Sequence, residues 1–196
     1  MWFVVRCRSG CEEEILRSCR TRLSPGALDE AFRFRCERFW RSDGAWRRVE
    51  RDMFPGYVFL QSARPELLSE EIKKYRAILP VLGEPGYLIP VYQEEENYLR
   101  QLCGEQHVLR LSYGYRDRKH GCDCITKGPL KEAGSRILAI DWHRRFARVE
   151  VPLARRTAVM WAGVAFDGCK EAGGAENRSG SLCACSAAQA GRYPFG

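Results

Sequence analysis

Between Phe32 and Leu60 the chain reads FRFRCERFWRSDGAWRRVERDMFPGYVFL, and the Asp43-Gly44 pair inside it does most to limit the fold. Asp-Gly favours the tight two-residue turn whose twist matches two antiparallel strands. The residues before it open with apolar-basic alternation, the period of a half-exposed strand. Ala45 to Arg51 returns as a second strand, and MFPGYVFLQS leads into a third. Three successive strands with short joints call for an antiparallel sheet, since parallel neighbours need long crossovers. The third strand is the odd one. Its start carries Pro55-Gly56, and its body is aromatic, with only the phenol of Tyr57 as a polar group.

Helices are expected around this sheet. Trp2 to Val5 reads as a short strand, and Ser9-Gly-Cys-Glu12 after it fits a capping box with Ser9 as N-cap. Ile15, Cys19 and Leu23 form one apolar stripe, and Ser24-Pro25-Gly26 stops the helix. Pro65 to Tyr75 and Gln93 to Leu102 read as two more helices, with strand segments at Ala77–Leu82 and Tyr87–Val91 between them. The order β-α-β-β-β-α-β-α predicts an α+β fold with an N-terminal antiparallel sheet flanked by helices over residues 1–103. Residues 104–120 read as a polar linker. Short strands at Cys124–Thr126, Arg136–Ile140, Ala147–Val151 and Ala158–Trp161 then predict a small β-barrel over 121–168. The Gly/Ala/Ser-rich residues 169–196 predict a disordered tail.

Charge separates the halves. Residues 1–105 carry 17 basic and 17 acidic groups, whereas residues 106–196 carry 15 and 8, so the whole excess of +7 lies in the second half. A basic half suits a polyanionic partner, because binding phosphates releases counterions. The ten cysteines include Cys-x-Cys twice but no Cys-x-x-Cys, so a zinc ribbon is not indicated and reduced structural thiols are expected. Metal binding through Cys122 and Cys124 is the weaker alternative. No apolar run approaches a membrane span and the N-terminus lacks a signal-peptide pattern, which predicts a cytoplasmic protein without membrane contact. No Gly-rich phosphate loop, nucleophile elbow or HExxH helix is present, and the three histidines lie in polar or basic surroundings. Neither an enzyme nor a cofactor is expected.

The start MWFVVRCRSGCEEEI, the segment VERDMFPGYVFL and the later GYLIPV together resemble the N-terminal domain of NusG-type transcription factors. ITKGPLKEAGSRILAIDWHRRFARVEV resembles the KOW motif that follows it in that family. The likeness spans about residues 1–168. It implies an N-terminal domain that docks through an apolar groove onto the clamp helices of the largest subunit of RNA polymerase. Phe54 and Tyr57 match the FPGY motif, and Phe59 shares a strand face with Tyr57, so these three are the expected polymerase-binding residues. Arg6, Arg8, Arg17 and Arg20 are then expected near the non-template DNA strand, where guanidinium groups suit phosphates.

The implied KOW domain is a five-stranded barrel like SH3 or Tudor domains. Lys127, Lys131, Arg136, Arg144 and Arg145, with Trp142 as a stacking platform, are its expected nucleic-acid-binding residues. The family's second motif glycine lies seven residues after the position of Gly128; here Ser135 stands there and Gly134 precedes it, so the turn is either rebuilt or shifted by one residue. A basic barrel of this kind looks most like the LoaP branch of the family, specialised antiterminators that read an RNA hairpin. The housekeeping branch, working with Rho or the ribosome, is the alternative, and a ribosome-associated KOW protein is the rival from another class. A monomer is expected.

Overall fold

The computed structural model describes residues 1–75, 81–82, 88–117 and 119–167; the expected tail and most of the Ala77–Leu82 strand lie outside these. In chain order the elements are β1 (Trp2–Cys7), α1 (Glu12–Arg22), β2 (Glu30–Phe32), β3 (Arg35–Ser42), β4 (Ala45–Asp52), β5 (Tyr57–Gln61) and α2 (Pro65–Lys74). Then come β6 (Val81–Leu82), β7 (Ile89–Pro90), α3 (Gln93–Cys103), β8 (Val108–Leu109), β9 (Ser112–Asp117), β10 (Cys122–Lys127), β11 (Ile137–Asp141), β12 (Phe146–Leu153) and β13 (Arg156–Phe166). The fold is α+β, an antiparallel sheet with helices followed by a curled five-stranded half-barrel of KOW type.

The first sheet runs β2-β5-β1-β6, with β7 also on β1, and all its pairings are antiparallel. Strand alternation sends Phe3, Val5 and Cys7 of β1 to one face and Trp2 and Val4 to the other. On the first face, Ile15, Leu16 and Cys19 of α1 and Leu68 and Ile72 of α2 complete a core. On the second, Phe32, Phe34 and Phe59 pack with Leu99 and Leu102 of α3. Both faces are closed.

The hairpin forms as the Asp-Gly pair predicts. Asp43 has φ 52° and Gly44 φ 78°, the left-handed pair that a two-residue turn requires, and β3 pairs β4 from Arg35↔Asp52 to Ser42↔Ala45. It does not continue into β5, however. Met53 to Gly56 is a turn, and the chain leaves it to pair with β1 and β2, while the hairpin gains parallel β8 as a separate sheet. Gly56 permits the break: its φ is +80°, its carbonyl accepts the Cys7 N–H at 2.8 Å, and a Cβ there would lie 3.1 Å from the Cys7 carbonyl oxygen.

The second body has the order β10-β9-β13-β12-β11, antiparallel except for β9 with β13. Its first strand lies inside the expected linker, which is a correction: residues 104–120 contribute β8 to the hairpin sheet and β9 to the barrel. Here the inward positions are Ser112 and Gly114, while Tyr113 and Tyr115 point outward. Small residues inside and rings outside invert the usual pattern, because neighbouring backbone approaches Gly114 too closely for a side chain. The KOW turn is shifted by one residue. Gly134, not Ser135, takes the left-handed conformation, with φ 48°.

The barrel is seated against the N-terminal elements. Gly163 of β13 abuts the backbone of β3, and Glu95 of α3 accepts hydrogen bonds from the backbone N–H groups of Ala154 (3.0 Å) and Arg155 (2.8 Å) in the β12–β13 turn.

Candidate functional site

The turn that opens β5 is fixed by Glu12, not capped by it. The N-cap of α1 is Cys11, without a side-chain cap, so the expected Ser9 capping box does not form. Instead the Glu12 carboxylate, 3% exposed, accepts the Gly56 N–H at 2.6 Å and the Gly10 N–H at 2.7 Å. Burial opposes its charge, but the Gly56 and Gly10 amides and the Arg33 guanidinium outweigh that and hold its carboxyl below the usual range. A depressed carboxylate stabilises the fold above its unfolded pKa, and that contribution disappears as pH falls through the folded value. Glu12→Gln is therefore expected to lower the melting temperature at neutral pH and to flatten its decline in acid. A melting series from pH 7 to pH 3 checks this, and parallel curves for the two proteins would refute it.

On this clamped turn the three expected aromatics part company. Phe59 is fully buried and Phe54 is 7% exposed; Tyr57 alone is half-buried and reaches the surface. Phe59 packs against Phe34 at 4.8 Å, Phe32 at 5.7 Å and Phe54 at 5.9 Å between ring centroids. Tyr57 and Phe59 do share a face, but α3 and the Phe32–Phe34 segment cover its Phe59 end and leave Tyr57 half-buried, so Phe54 and Phe59 are corrected from groove to interior. The Arg6 guanidinium lies 5.9 Å from the Tyr57 ring.

An open cleft of about 440 Å³ borders the same turn, between Pro55, the Ser9-Gly10 approach to α1 and the hairpin residues Phe39 and Trp40. Trp40 is 59% exposed, with Arg51 6.0 Å from its ring. Sequence reasoning missed these two rings, though the adjacent Phe39-Trp40 pair, which breaks the alternation of β3, was the available signal.

The expected DNA-facing cations divide too. Arg6, Arg8, Arg17 and Arg20 are all exposed, but Arg20 also donates to the Ala31 carbonyl at 2.7 Å and so ties α1 to β2. In the barrel, Arg136 lies over Tyr98 of α3 at 4.8 Å, and Arg145 over Phe39 and Trp46 at 5.0 Å each. Both guanidinium groups lie over rings of the N-terminal elements, Arg145 half-buried and Arg136 still exposed. Lys131 is exposed, Lys127 is 3.8 Å from Asp167, and Arg144 is 3.9 Å from Asp141. Trp142 is 7% exposed, stacks on Phe166 at 5.2 Å and donates its indole N–H to Asp123 at 2.7 Å. It is part of the barrel wall, a correction of its expected stacking role.

Burial pushes the thiols of Cys7 and Cys36 up to about 11 and that of Cys19 to about 12, which makes them packing groups at neutral pH. No group of His, Cys, Asp or Glu among the described residues could hold a metal ion, and no described helix is long and apolar enough to cross a membrane.

A family model described as transcription termination factor nusG matches residues 1–100, the part that contains the clamped turn, the hairpin and both helical covers. The chain belongs to the NusG family. It is therefore a non-enzymatic transcription factor of a kind that binds RNA polymerase. Among solved structures, the NusG of Thermotoga maritima, in a study of its domain interaction, is similar over 83% of this chain and 92% of its own, with 20% identity and a TM-score of 0.44. No curated protein matches this NusG-family chain.

Proposed function

We propose that this NusG-family factor docks on the clamp helices of the polymerase through the surface around Tyr57 and promotes antitermination, with its basic barrel contacting RNA as in the LoaP branch. The observation that carries the docking half is the Glu12 clamp on Gly56. It presents Tyr57 at the surface while Phe54 and Phe59 back it from within, and the cleft of Phe39 and Trp40 lies beside the same turn. Half-exposed aromatics on a rigid backing are the usual anchors of a protein interface. Arg6, Arg8 and Arg17 extend that surface with exposed positive charge suited to the non-template strand.

The antitermination half rests on charge, because the whole net positive charge lies beyond residue 105. Docking acts by preference: a factor that binds the closed clamp more tightly than the open one shifts the polymerase away from pausing. Tyr57→Ala is expected to weaken polymerase binding roughly thirtyfold, the loss of an interface hot spot, with little change in melting temperature. Co-purification with polymerase measures the first and calorimetry the second; retained binding sinks the docking assignment. Run-off transcription across an intrinsic terminator, with and without leader RNA, separates the branches. Read-through that needs the leader supports the antiterminator, and release that needs Rho supports the housekeeping reading.

A further inference from the structure

On the barrel, a cavity of about 570 Å³ opens between β11, β12 and β13; Trp142 lines it, and Arg144 lies beside it, 3.9 Å from the lining Asp141. Its apolar walls are Phe146, Trp161 and Phe166. Trp161 and Phe166 are 41% and 42% exposed, about as open as the outward-pointing Tyr113 and Tyr115, but here the two rings line one cavity. Each packs against a second ring. Phe146 meets Trp161 edge-on at 4.5 Å, and Trp142 stacks against Phe166 with an interplanar angle of 28°. Both rings line the cavity and each is already packed against a neighbouring ring, which limits what they lose in ordering. Arg116, His143 and Arg148 also line it, Arg148 lying 5.9 Å from the Trp161 ring. The one acid in the wall, Asp141, is engaged by the Arg144 backbone N–H at 2.8 Å.

We propose that this cavity binds an unpaired stretch of nucleic acid, with bases stacking on Trp161 and Phe166 and phosphates on Arg116 and Arg148. The inference rests on the reading that the barrel contacts RNA, and it names the site and the strandedness. Exposed rings among cations match a chain of planar bases on a phosphate backbone. A duplex hides those base faces, so it gains only the charge. A protein partner would need acidic groups opposite the arginines and finds few donors or acceptors between the rings.

The test uses the full chain and a fluorescein-labelled mixed-sequence 12-mer, as single-stranded RNA, single-stranded DNA and RNA duplex, with anisotropy as the readout. Single strands are expected to bind better than duplex, and the RNA and DNA arms decide which strand is the natural source. Trp161→Ala with Phe166→Ala should weaken single-strand binding at least about tenfold, and Trp161→Phe should restore most of it. Arg116→Gln with Arg148→Gln, both at exposed positions, should leave the melting temperature unchanged and lower the salt slope by roughly 1.4. Co-purification with polymerase should be unaffected in all variants. Wild-type single-strand binding that none of these substitutions weakens overturns this site alone. Absence of any single-strand binding overturns it together with the RNA half of the proposed function, and loss of polymerase instead of RNA marks the cavity as a protein site.

Discussion

Glu37→Ala should cost this protein roughly 3 kcal/mol, more than a surface carboxylate could, and lower its melting temperature by roughly 6–12 °C. Glu37 sits on β3 at 2% exposure and grips Arg110 and Leu111, where the chain passes from β8 of the hairpin sheet to β9 of the barrel. One carboxylate oxygen takes the Arg110 guanidinium at 2.7 Å and that of Arg48; the other accepts the Leu111 N–H at 3.0 Å. Burial works against its charge, but Arg110, the Leu111 amide and Arg48 prevail and keep the carboxyl below its usual range. Truncation strands the Leu111 amide, and an unsatisfied buried donor costs about 1–3 kcal/mol. The ion pairs add less, since Arg48 and Arg110 are each about half exposed and can turn to water. Glu37→Gln keeps an acceptor for Leu111 but sets an amide against two cations, so an intermediate loss is expected. Differential scanning calorimetry decides the matter. A melting point for Glu37→Ala within a degree or two of wild type would show that this carboxylate does not hold the joint.

The second large effect separates folding from docking on one strand. Phe59→Ala should destabilise by about 3–5 kcal/mol, the range for truncating a buried phenylalanine. Its ring is enclosed by Phe32, Phe34 and Phe54, and that cluster extends through Trp2 and the His107 ring, stacked on Phe32 at 3.7 Å. Any polymerase-binding loss in Phe59→Ala should therefore track unfolding and recover at lower temperature, whereas that of Tyr57→Ala should persist in a fully folded protein. Chemical denaturation and polymerase co-purification, run at two temperatures, give the contrast. A stable Phe59→Ala protein that still fails to bind would return Phe59 to the contact surface.

The hairpin shows how far local rules carry. Asp43-Gly44 has one favourable backbone solution, and Gly134 could stand in for the missing KOW glycine because only that residue tolerates the left-handed turn cheaply. The FPGY motif is legible as a motif, yet by itself it places Phe54 and Phe59 at the surface rather than in the interior where they lie. Periodicity states that Tyr57 and Phe59 share a face but is silent on what covers it, and α3 comes from more than thirty residues downstream. Glu12 illustrates the same limit. Its spacing from Ser9 matches a cap, but the Gly56 amide, 44 positions away, competes for the carboxylate and wins. Strand β9 was missed because its buried side is Ser112 and Gly114, a pattern set by close backbone contact, which hydropathy does not encode.

The sequence by itself determined the class of fold, the turn positions, the family and the concentration of positive charge in the second half, since these depend on residues near one another or on simple sums. Tertiary structure alone decided which aromatics stay open to a partner. It sent Arg136 and Arg145 onto the first domain, enclosed Trp142, and left Trp161 and Phe166 at the rim of a cationic cavity. The reason is physical: exposure belongs to the space between elements, and that space is set by packing between segments far apart along the chain.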